Sequence, residues 1–104
     1  MKKILIDKNL IEKILDTITK KTPFPKDIIY HEIQDDFQLL FISIKIDNFD
    51  ENEVNSSIKI IGEFLNQIMP QRDDDYSWVI GLKRKGQVVE SCFGGNSNGS
   101  NWLG

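Results

Sequence analysis

A chain of 104 residues with 39% hydrophobic and 28% charged side chains has the size of one domain and lies far from the disordered regime. Thirteen lysines and arginines against sixteen aspartates and glutamates give a net charge of −3, which argues against direct binding to a phosphate backbone or an anionic membrane. Cys92 is the sole cysteine, so no intramolecular disulfide can form and the core alone must hold the fold, as in the reducing cytoplasm.

In chain order, the apolar run that starts at Ile4 ends at Asp7-Lys8-Asn9, too short for a signal-peptide core or a membrane span, and Lys3 to Ile6 reads as a short first strand. From Asp7 or Asn9 onward, Leu10, Ile11, Ile14, Leu15 and Ile18 recur at helical spacing with charged residues between them. Asn9 and Glu12 have the spacing of a capping box, and Pro23 and Pro25 stop the helix. Ile28 to Ile33 and Phe37 to Asp47 are rich in β-branched and aromatic residues around the polar Gln34-Asp35-Asp36, which predicts an antiparallel hairpin. Leu40, Ile42, Ile44 and Ile46 share one face of its second strand, while Phe37, Leu39 and Phe41 share the other, as in a central strand half covered on its second side.

Asp50 as N-cap with Glu53 three residues on opens a second helix, with Phe49 placed to staple against Val54. Val54, Ile58, Ile61, Leu65 and Ile68 form its apolar stripe up to Pro70. Tyr76 to Leu82 and Gln87 to Phe93 predict a second hairpin around Lys83-Arg84-Lys85-Gly86, where Gly86 supplies the positive φ of a tight turn. The expected architecture is α+β in (β)αββαββ order: a mainly antiparallel sheet with two helices on one face, a ferredoxin-like or related two-layer sandwich. Residues 1–95 form the domain. Residues 96–104 form a Gly/Asn/Ser-rich tail that stays mobile unless anchored, and Trp102 is the expected anchor.

The residues with chemical potential do not assemble into a catalytic pattern. His31 alternates with Ile29 and Ile33, the setting of a hydrogen-bonded structural histidine, and Cys92 reads as a small buried hydrophobe. Asp73, Asp74 and Asp75 are adjacent, so they cannot all converge on one cation, and the alternating ligands of a calcium loop are missing. No metal, cofactor or catalytic residue is expected, and the protein is read as a non-enzyme. What the aspartates can do is set up a field: an acidic loop beside Tyr76 and Trp78 steers a basic partner, with Tyr76 or Trp102 as its anchor, while Trp78, at period two with Ile80 and Leu82, reads as core.

A small acidic α/β domain with the segments Gln34-Asp35-Asp36, Asp47-Asn48-Phe49-Asp50-Glu51 and Gln71-Arg72-Asp73-Asp74-Asp75-Tyr76 resembles the immunity proteins of bacterial contact-dependent growth inhibition and polymorphic toxin systems. The resemblance implies a cytoplasmic protein that binds one cognate toxin domain, often a basic nuclease, and blocks it by occlusion without chemistry. The expected contacts are Asp35, Asp36, Asp73, Asp74, Asp75, Tyr76 and Trp102. The alternative is a small-molecule-binding regulatory or enzyme-accessory domain, with the uncovered sheet face and the Gly-rich tail forming a pocket or a dimer surface.

Overall fold

In a computed structural model, which describes residues 6–34, 36, 39–73 and 75–96 together with the backbone of 101–103, the first helix α1 spans Lys8–Lys21. Its cap is Asp7, whose Oδ1 accepts the Leu10 N–H at 2.9 Å. Asn9, the expected cap, lies inside the first turn. The aspartate two residues earlier has the free carboxylate that the unpaired N–H groups of a helix start require. Ile11, Ile14 and Ile18 are buried, and Thr22 closes the helix by donating both its N–H and its hydroxyl to the Ile18 carbonyl just before Pro23. The expected strand at Lys3 to Ile6 falls outside the described residues except for Ile6, which is buried in the core.

The second helix α2 spans Glu51–Ile68 and starts as its residues predict, with Asp50 Oδ1 accepting the Glu53 N–H at 2.8 Å. Val54, Ile58, Ile61 and Leu65 are buried in one stripe. Phe49, just before the cap, meets Phe24 edge-on at 5.0 Å between ring centroids and so ties the entry of α2 to the segment after α1.

Among the described residues five strands follow chain order across one sheet: β1 (Ile29–Gln34), β2 (Leu39–Lys45), β3 (Trp78–Arg84), β4 (Gln87–Gly94) and β5 (Asn101–Leu103). The pairs β1–β2, β3–β4 and β4–β5 are antiparallel, whereas β2 and β3 are parallel neighbours joined through α2, with Leu40 opposite Trp78 and Ile44 opposite Leu82. The sheet is therefore mixed, and its strand order is not ferredoxin-like, an arrangement that would interleave another strand between β2 and β3. The β3–β4 turn has positive φ at both Lys85 (53°) and Gly86 (78°), the type I′ geometry whose twist matches a two-residue hairpin.

Both helices cover the same side of the sheet. Their buried isoleucines and leucines form a single core with Ile42, Ile44, Ile80, Leu82, Trp78 and Cys92, which are the alternate residues of the central strands. The chain is thus an α+β two-layer protein with one covered and one open sheet face. No helix among the described residues is long and apolar enough to cross a membrane. The tail of the expected domain division joins the sheet, since Asn101–Leu103 pairs with Ser91–Phe93 as an edge strand.

Candidate binding surface

The parallel pairing of β2 with β3 has a consequence for the acidic residues. Parallel strands begin at the same end of a sheet, so Asp36, just before β2, and the segment 70–77, just before β3, lie at one end together. The end of β4 joins them there, because β4 runs antiparallel to β3 with Gly94 opposite Trp78.

Hydrogen bonds fasten this segment at Gln71, Arg72 and Ser77. The Arg72 N–H donates to the Gly95 carbonyl at 2.7 Å, the Ser77 N–H to the Gly94 carbonyl at 2.8 Å and the Leu40 N–H to the Ser77 carbonyl at 2.9 Å. Asn66, on the last turns of α2, accepts the Gly95 N–H on its Oδ1 at 3.1 Å, while its backbone carbonyl accepts Gln71 Nε2 at 2.9 Å. Glycines are required on the β4 side. A Cβ on Gly94 would lie 2.4 Å from the Trp78 ring, and Gly95 combines φ +88° with a would-be Cβ 1.9 Å from Ser77 Oγ. Ser77 and Trp78 are fully buried beneath, and the Ser77 hydroxyl and Trp78 indole N–H lack hydrogen-bond partners among the described residues. That desolvation is a cost which the surrounding packing has to outweigh. On this fixed base Asp73 and Asp75 are exposed, with Asp75 Oδ1 accepting the Tyr76 N–H at 2.8 Å.

Tyr76 stands apart from Trp78 because the strand begins only at Trp78. Instead of following Trp78 into the core, its ring lies 4.7 Å from that of Phe93, which points to the open side of β4. The open face is ordered in rows across the strands. One row holds Glu32, Phe41, Val79 and Phe93; the next holds Tyr30, Ser43, Gly81 and Ser91; beyond it stand Lys45, Lys83 and Val88. The Lys45 ammonium sits 5.2 Å above the Tyr30 ring. The face thus runs from a carboxylate end over a half-buried aromatic row and a row of small residues to a lysine end.

Of the expected contact residues, Asp36, Asp73 and Asp75 are brought to one end and exposed, with half-buried Tyr76 beside Asp75. Asp35, Asp74 and the side chain of Trp102 lie outside the described residues. Two other acids quoted for the resemblance serve the fold: Asp50 caps α2, and Asp47 Oδ1 accepts the Lys85 N–H at 2.6 Å, bracing the β3–β4 turn. Residue-by-residue reading missed Tyr30, Phe41, Phe93, Lys45 and Lys83. The signal was the second face of each strand pattern, visible in Phe41 but without register to join it to Phe93.

His31 departs from its expected setting. It shares a side with Ile29 and Ile33, but on the edge strand β1 it is exposed. Cys92 is buried as expected, and burial pushes its thiol from 9.0 up to about 11. His31 and Cys92 occupy the same cross-strand row three strand spacings apart, roughly 14 Å. They cannot act as a nucleophile and base pair. Among the described residues no three His, Cys, Asp or Glu side chains converge as a metal-ligand set. One hollow of about 350 Å³ lies between the start of α2 and the β3–β4 hairpin, lined by Glu51, Val54, Arg84 and Glu90.

The fold and this surface define an α+β two-layer protein with a polarised open sheet face. No protein-family model matches the chain, and neither a curated protein nor a solved structure matches it significantly.

Proposed function

We propose that this chain is an immunity protein, a cytoplasmic binding domain that neutralises a cognate basic toxin domain, of the nuclease kind, by occluding it. The observation that carries the reading is the parallel register of β2 and β3, which gathers Asp36, Asp73 and Asp75 at one sheet end on a segment already immobilised by Asn66, Gly94 and Gly95. A basic partner would be drawn to that end by its field and held by Tyr76 and the aromatic row behind it. The hydrogen bonds at Gln71, Arg72 and Ser77 hold the two ends of the segment, which lowers the conformational entropy lost on docking. Binding alone accounts for the activity; no bond is made or broken.

The test is protection in cells. An immunity gene directly follows that of its toxin, so the toxin domain encoded immediately upstream is co-expressed with this chain and growth is followed. Wild type should restore growth and co-elute with the toxin domain, and D73K/D75K should lose both while remaining folded. Failure of the wild-type chain to protect or to form the complex would overturn the reading.

A further inference from the structure

We infer that the hollow between the start of α2 and the β3–β4 hairpin binds a small zwitterion with an aliphatic side chain, an α-amino acid of the leucine kind. The inference goes beyond toxin binding and does not rest on it, since the hollow lies at the lysine end of the sheet, away from Asp73 and Asp75. Buried Ile46 and Val54 give it an apolar floor, and its walls carry charge, with Glu51 on the helix and Arg84 and Glu90 on the strands. A break in the sheet ladder shapes one wall. Leu82 is opposite Glu90 while Lys83 is opposite Val88, so Val89 is an extra residue without a partner on β3, a β-bulge. Consecutive residues of a regular strand point to opposite faces, whereas Val89 and Glu90 both line the hollow. The bulge therefore turns an aliphatic side chain and a carboxylate into the same space, the re-aiming that bulges provide beside binding sites.

The opposite charges in this hollow are held apart. Arg84 is two residues beyond Leu82 on β3 and Glu90 is opposite Leu82, so their backbones stand roughly 8 Å from each other. Both side chains are half-buried, and among the described residues Arg84, Glu90 and Glu51 make no ion pair or side-chain hydrogen bond. Drawing charges partly out of water without pairing them is unfavourable. A single ligand that carries both signs relieves it: its carboxylate accepts from the Arg84 guanidinium, its ammonium donates to Glu90 and Glu51, and its side chain lies on Ile46, Val54 and Val89. An anion alone would meet two carboxylates, and a cation alone would leave Arg84 unpaired. A volume of about 350 Å³ is at the small end for ligand sites, which suits a free amino acid.

Amide NMR titration of the full chain with L-leucine tests this. Wild type should show saturable shifts centred on Val54, Asn55, Val89 and Glu90. Isocaproate keeps the side chain and carboxylate but lacks the ammonium, and isoamylamine lacks the carboxylate; each should bind wild type at least about tenfold more weakly than leucine. Arg84→Gln should bind leucine no better than it binds isoamylamine, and Glu90→Gln no better than it binds isocaproate. Neither charge has a partner in the fold, so both variants should keep the wild-type melting temperature and amide spectrum outside the hollow. The two analogues on wild type decide the matter even if a variant fails to fold. No saturable shift with leucine, shifts centred elsewhere, an analogue that matches leucine, or a folded variant that binds leucine as wild type does would each overturn the inference.

Discussion

Two acidic segments of this chain look alike in sequence and differ in what the fold does with them. Asp47 and Asp50, between β2 and α2, are used internally: one accepts a backbone N–H from the neighbouring hairpin turn, and the other caps a helix of 18 residues. Asp73 and Asp75, before β3, are flanked by residues held through backbone bonds, and among the described residues Asp75 makes a local contact, to Tyr76. Asp47 and Asp50 hold donors of a hairpin turn and a helix start, whereas the Asp75 bond reaches only its own neighbour, and both Asp73 and Asp75 stay exposed. The comparison therefore teaches that the acids before β3 are the ones available for binding, even though the Asp47–Glu51 segment is just as acidic.

The largest effect should come from breaking the base on which Asp73 and Asp75 stand. Gly95→Ala forces a side chain into left-handed backbone and onto Ser77 Oγ, so a loss of about 2–4 kcal/mol in denaturant unfolding is expected, with faster amide exchange at Arg72 and Ser77. Asp50→Ala should cost about 1 kcal/mol by removing the α2 cap. Asp47→Ala should cost about 1 kcal/mol by leaving the Lys85 N–H without its acceptor. Asp73→Asn and Asp75→Asn should change stability by less than about 0.5 kcal/mol, since neither carboxylate supports the fold. Equal costs at all four positions would erase the distinction between the two segments.

Alkaline pH gives a separate check on the core behind β4. The Cys92 thiol is raised from 9.0 to about 11 by burial, so the unfolded chain ionises first. Stability linked to this group is complete below pH 9, falls as pH rises from 9 towards 11, and levels off beyond. Cys92→Val should remove that component from the alkaline unfolding profile. At acid pH the exposed Asp16–Lys26 pair acts the other way: Lys26, hydrogen-bonded to Asp16 at 2.5 Å, lowers the carboxyl below 3.8, and its small contribution is lost only as pH falls through that lowered value.

How much of this was legible in the sequence depended on distance along the chain. The α2 cap could be read because Asp50 and Glu53 are three residues apart and the motif is local. Trp78 and Cys92 could be read as core from their hydrophobicity and alternation. The meeting of Asp36 with Asp73 and Asp75 could not, because it follows from a parallel register set across the whole of α2. Asp47 offered no local sign of its role, since its donor lies 38 residues away. Asn66 read as one more polar residue on a helix until the end of β4 was in place to supply the Gly95 N–H. The start of α1 could be read only as Asp7 or Asn9, because both residue types are good caps, and it is Asp7 that accepts the Leu10 N–H.

The central claim, that the acidic end before β2 and β3 receives a basic partner, is tested most directly by association kinetics. Stopped-flow rate constants for the proposed partner, a basic toxin domain, should be measured from low to high salt for wild type and for Asp73→Asn/Asp75→Asn. The account predicts a wild-type rate that falls steeply with salt, and a variant rate that is about tenfold slower at low salt and converges on wild type at high salt, with dissociation little changed. Identical rates and identical salt slopes for the two proteins would contradict it.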